Sequence, residues 1–186
     1  MAVELVDFRS ITKAQRAAAG EILRSALAHL PSAHQGAGEA EAEVDLRWND
    51  GDWLGSATLD GERLVGWVGA IRTYSHGWEL HPLVVAPDRQ RQGIGTTMIA
   101  TIEARARQEG VLTMFLGTDD EHGGTTAFGY DLWADLPRYT AAIEASTRGH
   151  ALTFYRRHGY QVIGLLPDVN GPGRPDILMA KRLLHL

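Results

Sequence analysis

The segment that most limits this chain is Leu83-Val84-Val85-Ala86-Pro87-Asp88-Arg89-Gln90-Arg91-Gln92-Gly93-Ile94-Gly95-Thr96-Thr97. A Val-rich strand stops at Ala86-Pro87, crosses a glycine-bearing loop and enters an amphipathic run over residues 93–108, closed by Gly110. Glycines let successive backbone N–H groups turn inward, and a helix start adds partial positive charge. Such a strand-loop-helix predicts an anion site, with Arg89 and Arg91 at its rim and hydroxyls on Thr96 and Thr97. A dinucleotide fingerprint would need glycine where Met98 stands, and a phosphate-binding Gly-Lys-Ser/Thr loop is missing.

The rest of the chain reads as alternating strands and helices. Residues 3–8 predict a strand, and residues 12–29 a helix capped by Thr12 and stopped near Pro31. Residues 32–43 are rich in Ala, Gly and Glu and read as a solvated surface segment. Residues 53–59 and 63–71 form a hairpin across Asp60-Gly61, and residues 78–85 form the next strand. After a strand at 111–117 comes a long connection, 118–147, with a helix expected over 132–145. A short helix at 151–157 and strands at 160–166 and 175–181 complete the pattern. The expectation is one α/β (α+β) domain over residues 1–186, with an inserted loop and helix at about 118–147.

Composition narrows the function classes. The 186 residues contain no cysteine, which excludes disulfides, thiolate metal sites and a cysteine nucleophile. A net charge of −5 argues against nucleic acid and anionic membranes, and suits a cationic small molecule. The N-terminus lacks an apolar signal core and no stretch is long enough to span a membrane, so a cytoplasmic protein is expected. The eight histidines show no zinc spacing, and no metal is expected. Trp48, Trp53, Trp67 and Trp78 read as core or edge-strand residues, and Arg156-Arg157 as a solvated helix face.

The strand, Pro87 and the Gln/Arg-x-x-Gly-x-Gly run resemble motif A of the GNAT superfamily of N-acetyltransferases. Ala151-Leu152-Thr153-Phe154-Tyr155-Arg156-Arg157-His158-Gly159-Tyr160 is similar to that superfamily's late helix-turn-strand. Many members carry Asn seven residues before the tyrosine, where Arg148 stands here. Leu64-Val65-Gly66-Trp67-Val68-Gly69, Trp78-Glu79-Leu80-His81-Pro82-Leu83-Val84-Val85, Leu116-Gly117-Thr118-Asp119-Asp120-Glu121 and the run from Leu166 to Ile177 resemble aminoglycoside 6′-N-acetyltransferases, in the same order. The first sixty residues contribute little to this resemblance.

The resemblance implies a GNAT fold: a central, mostly antiparallel twisted sheet of six to seven strands, splayed at the acetyl-CoA site, with helices on both faces. It implies direct acetyl transfer from acetyl-CoA to an aminoglycoside 6′-amine in a ternary complex, antibiotic resistance, and a homodimer. By the same resemblance, Leu83, Val84, Val85, Arg91, Gln92, Gly93, Ile94, Gly95, Thr96 and Thr97 hold the cofactor. Tyr155 takes the position that protonates the departing thiolate, and the Leu83 N–H faces the acetyl oxygen; Pro82 has no N–H to offer.

The residues add their own argument. A polycationic acceptor needs carboxylates, and the chain supplies Glu79, Asp119, Asp120, Glu121, Asp131, Asp135 and Glu144, of which Glu79, Asp119, Asp120 and Glu144 are the binding candidates. Glu79 and His81 stand two apart on one strand, so they share a face. Glu79 first, then His81, is the candidate base for the ammonium proton, and Glu79 is equally readable as a group that only holds the ammonium. Two other functions fit the same chemistry: acetylation of another polyamine or metabolite amine, and a non-catalytic module that binds coenzyme A or antibiotic.

Overall fold

The computed structural model describes residues 3–184 apart from 32, 35 and 148. Arg148 therefore lies outside the described residues, as do His185 and two positions of the 32–43 segment. The chain forms two compact units, Met1–Leu112 with Leu183–Leu186, and Thr113–Arg182. Among the described residues the fold is mixed α/β with seven strands, and all the registered strand pairs are antiparallel.

In the first unit, β1 (Glu4–Asp7), β2 (Trp53–Asp60), β3 (Arg63–Ile71) and β4 (Gly77–Val85) pair in that order. Helix α1 (Lys13–Ala26) starts as predicted at Thr12: Thr12 Oγ1 accepts from Gln15 N at 3.2 Å, and Gln15 Oε1 accepts from Thr12 N at 2.9 Å. This reciprocal pair satisfies two donors that a helix start leaves open. The solvated reading of residues 32–43 needs correction, because Glu39–Asn49 is a helix, α2. Its Ala40 and Val44 are four apart and buried against Ala19 and Leu23 of α1. So narrow an apolar stripe gives little periodic signal.

Helix α3 (Ile94–Gln108) buries Ile94, Met98, Ile102 and Ala106, each four residues from the last. The same spacing makes one face of the helix and turns it onto the sheet. The densest part of this core is aromatic. Phe8 packs 5.1 Å from Trp53 and 4.9 Å from Trp67, and the Trp67 indole N–H donates to the Ala19 carbonyl of α1 at 3.1 Å. Trp53 and Trp67 are core residues, as expected. Burying each of these side chains contributes on the order of 2–3 kcal/mol.

In the second unit, β5 (Thr113–Asp119), β6 (Gln161–Leu166) and β7 (Asp176–Arg182) pair in the order β5-β7-β6. The helix expected over 132–145 is instead a 3-10 turn, Leu132–Ala134, followed by α4 (Leu136–Ala142). Pro137 explains the break: it has no N–H to donate and its ring crowds the carbonyl four residues back, so it fits only a first turn. Asp135 caps that new start by accepting from Arg138 N at 3.3 Å. Helix α5 (Ala151–Arg157) has the predicted bounds.

Candidate active site

Strand β4 alternates in burial along its length, with Trp78, Leu80, Pro82 and Val84 inside and Glu79, His81 and Leu83 partly accessible. The predicted shared face of Glu79 and His81 is thus present, and Leu83 follows them in the same alternation. The strand is irregular at this point. Val68 pairs with Leu83 and Ala70 with Leu80, so Gly69 stands against both His81 and Pro82. One extra residue on β4 bends the strand and leaves backbone groups unpaired. Among the described residues, the Glu79 carboxylate has no hydrogen bond or ion pair.

Two side chains that the sequence reading left aside hold His81. Trp53 Nε1 donates to the His81 carbonyl at 2.7 Å. The indole lies over Gly55 and Gly69, where an added Cβ would come within 2.0 and 2.1 Å of it. Glycine at both positions is therefore what admits the ring. On the other side, His81 Nε2 is 3.0 Å from Glu43 Oε1 of α2. Glu43 also accepts from Arg47 Nε at 2.6 Å, and Arg47 reaches Asp50 at 3.2 Å. Burial pushes the Glu43 pKa up, but the bonds and charges of His81 and Arg47 outweigh it and hold the carboxyl at about 2. It stays ionised. Nothing in the local sequence distinguished Glu43 from the other acidic residues around it; only the packing of α2 selects it.

The Gly-rich loop follows β4 directly. Gly93, at φ +84°, is the N-cap of α3, and no side chain caps that helix start. Arg91 also takes a left-handed backbone, at φ +58°, and its side chain is exposed without a partner among the described residues. An uncapped, positively polarised helix start beside a free guanidinium fits a pyrophosphate. Arg89 differs from its rim reading. It pairs with Asp60 of the β2–β3 hairpin and donates to Gln92 Oε1 at 3.1 Å. Gln92 Nε2 in turn donates to the Asp88 carbonyl at 3.2 Å. The side chains of Arg89 and Gln92 thus shape the loop, and the exposed Gln92 amide keeps a second N–H. Ile94 is buried, Gly95 is partly covered and Thr96 and Thr97 are exposed on the first turn, where Thr97 Oγ1 donates to the Gly93 carbonyl at 3.3 Å.

The second unit carries the other candidates. Asp120 is 1% exposed. Its carboxylate accepts from Gly124 N at 2.8 Å, Thr125 N at 2.7 Å, Thr125 Oγ1 at 2.7 Å and His122 N at 3.3 Å. Four donors fill the acceptor capacity of a carboxylate, so Asp120 organises its own loop and the direct substrate contact expected of it is corrected. That loop is tied to the start of α5 through His150. Gly124 packs so closely on the imidazole that an added Cβ would lie 2.3 Å from it. His150 Nε2 lies 3.2 Å from the Asp119 carbonyl, and its Nδ1 accepts from Leu152 N at 3.1 Å, capping α5. His150 was missed because histidine is an uncommon cap.

Asp119 is half-buried and shares Oδ1 with Asn170 Nδ2 at 2.5 Å, which leaves Oδ2 without a partner among the described residues. Tyr155 is partly buried between Phe154 and Tyr160, with ring centroids 5.2 and 5.7 Å away, and burial pushes its phenol above the usual tyrosine range. Glu144 is 70% exposed and pairs with Arg156 at 2.5 Å; Arg156 also donates to the Ile143 carbonyl at 2.7 Å. Arg156 is therefore a tether and not a solvated face. Among the described residues no group of His, Asp and Glu side chains is arranged to hold a metal ion, and no helix is long and apolar enough to cross a membrane.

Comparison with known proteins follows the same lines. The profile of the Acetyltransferase (GNAT) family matches residues 21–128. An aminoglycoside 6′-N-acetyltransferase solved in complex with coenzyme A is 35% identical, with a TM-score of 0.86, over 100% of this chain and 99% of that one. The aminoglycoside 6′-N-acetyltransferase from Enterococcus faecium is 33% identical, TM-score 0.84, with the same coverage. A type Ii aminoglycoside 6′-acetyltransferase is 30% identical, TM-score 0.71, again over 100% and 99%. None of the curated proteins matches the chain.

Proposed function

Because the chain belongs to the acetyltransferase (GNAT) family, we propose that it is an aminoglycoside 6′-N-acetyltransferase, moving the acetyl group of acetyl-CoA directly to the antibiotic's 6′-amine. The observation that carries this is end-to-end similarity, at 30–35% identity, to three solved enzymes of that description. It extends over the first sixty residues, where the sequence motifs were silent.

Acetyl-CoA supplies an activated thioester, and the protein supplies position and charge. The N–H groups at the start of α3, from Gly93 to Thr96, together with Arg91, the backbone of Gln92 and the side chain of Thr97, hold the pyrophosphate. Leu83, Val84 and Val85 run beside the pantetheine arm. The Leu83 N–H, next to the irregular stretch of β4, meets the negative charge that builds on the acetyl oxygen. Glu79 and His81 divide two tasks, holding the ammonium and accepting its proton. Tyr155, kept neutral by burial, gives a proton to the departing thiolate. Asp119, through its open Oδ2, and Glu144 add negative charge for a polycationic acceptor. All of this is the work of one catalytic domain.

Finer attributes go with this reading. An enzyme of this class acts in the cytoplasm, where acetyl-CoA is made, and confers resistance on its host. A homodimer is supported by Ile163 and Leu166, which are 61% and 41% exposed on β6 at the edge of its unit's sheet. Sedimentation at micromolar concentration tests that point, and a monomer would refute it.

The decisive assay compares acetylation of kanamycin with that of an analogue bearing hydroxyl at the 6′ position. We expect turnover on kanamycin alone. Equal transfer to both would overturn the 6′-amine assignment, and acetyl-CoA binding without turnover on either would overturn the catalytic one.

A further inference from the structure

We propose that Glu43 is a positioning residue that locks His81 with its proton on Nε2, so that Nδ1 is the atom that takes the ammonium proton. This rests on the acetyltransferase reading above and assigns the two tasks left shared there: His81 accepts the proton and Glu79 holds the ammonium.

The argument is one of donors and acceptors. Glu43 Oε1 lies 3.0 Å from His81 Nε2 and accepts from Arg47 Nε at 2.6 Å. A carboxylate that keeps its charge can only accept, so Nε2 must carry the hydrogen. A neutral imidazole with hydrogen on Nε2 has its lone pair on Nδ1. No described residue donates to His81 Nδ1, and the side chain is 37% exposed, so that lone pair is open to a ligand. The ring cannot easily turn away. Its main-chain carbonyl is fixed by Trp53 Nε1 at 2.7 Å, and its far nitrogen is fixed by Glu43, only 12% exposed. Arg47 and Asp50 hold Glu43 in place, at 2.6 and 3.2 Å along that chain. Glu79 stands two residues away on the same face of β4.

Proton balance follows. An ammonium N–H bond breaks, and its hydrogen goes to Nδ1, freeing the nitrogen lone pair. The imidazolium then has both hydrogens placed, one still shared with Glu43, whose negative charge stabilises it. The proton on Nδ1 is the net proton that amide formation from an ammonium releases, and it leaves to solvent. The nitrogen's second hydrogen replaces, by way of Tyr155, the one needed by the thiolate.

The test has two arms. In the first, 15N-histidine-labelled enzyme is observed above the histidine titration range, with His81 assigned by comparison with His81→Asn. We expect a single form with hydrogen on Nε2; hydrogen on Nδ1, or a mixture of forms, overturns the proposal. Glu43→Gln, whose amide can donate or accept, should change that single form into a mixture. In the second arm, Glu43→Gln should lower kcat for kanamycin roughly ten- to a hundredfold while the KM for acetyl-CoA stays within about twofold. Wild-type kcat in that variant overturns the proposal. If wild-type enzyme fails to acetylate kanamycin, the functional reading falls, and the nitrogen spectrum of wild-type protein still decides the tautomer. That spectrum also decides it if Glu43→Gln does not fold.

Discussion

Trp53 Nε1 donates to the carbonyl of His81 at 2.7 Å, a bond between residues 28 positions apart. It joins the first residue of β2 to the irregular stretch of β4, at the point where His81 and Pro82 face the single residue Gly69. Core packing and site geometry meet in this one contact. Gly69→Ala would place a Cβ 2.1 Å from the indole, so the ring would have to move. We expect a loss of about 2 kcal/mol in urea unfolding, with a fall in kcat as His81 loses its anchor. An unchanged midpoint would show that the ring has room that the packing denies it.

The Glu43 carboxyl sets an acid limit on stability. Its folded pKa is about 2 against an ordinary 4.5. A depressed carboxyl stabilises the fold above its unfolded pKa, and this contribution is lost as pH falls through the folded one. The stability gap between wild type and Glu43→Gln should close as pH falls from 4.5 towards 2. Denaturant titrations across that range measure it; a gap that is unchanged at the acid end would contradict the assignment.

Asp120 supports its loop by accepting four hydrogen bonds. In Asp120→Asn, the amide NH2 replaces an acceptor and faces a donor. We predict a loss of about 2–3 kcal/mol in thermal unfolding, because buried donors are left without partners. Kanamycin binding by calorimetry should change little. Weakened kanamycin binding at full stability would return Asp120 to the substrate role.

Gly93 is constrained by its backbone and not by space. It sits at φ +84° and an added Cβ meets nothing within 4 Å. Gly93→Ala should therefore cost about 1 kcal/mol in the free protein through its left-handed conformation. With the phosphate site at the α3 start, the methyl also crowds the ligand, so the KM for acetyl-CoA should rise about tenfold or more. A normal KM would move the pyrophosphate elsewhere.

Tyr155 tests the proton donor. Burial raises its pKa above the ordinary value of 10.0, so the phenol stays protonated throughout a neutral assay. Tyr155→Phe should reduce kcat by roughly a hundredfold, leave acetyl-CoA binding near normal, and do so evenly from pH 6 to 9. Wild-type turnover would exclude the donor role.

Local signals were legible wherever chemistry and conformation coincide within a few residues. The Gly-rich loop, the Thr12 cap, the Asp60-Gly61 hairpin and the bounds of α5 all follow from neighbours in the chain. Asp119 and Asp120 show the boundary of that method. Adjacent and chemically identical, they part in the fold, where Asp120 is filled by Gly124 and Thr125 and Asp119 keeps an oxygen open.

By itself, then, the sequence determined the strand-loop-helix, its positive end, and the two-residue spacing that sets Glu79 and His81 on one face. These depend on backbone geometry, which repeats every few residues. Tertiary structure alone decided which side chains hold that site. Glu43 reaches His81 across 38 positions, and Trp53 across 28. Both partners arrive by the folding of a weakly patterned helix and a pair of glycines around an indole. A carboxylate's ionisation and a histidine's tautomer are set by such neighbours in space, and no local pattern specifies them.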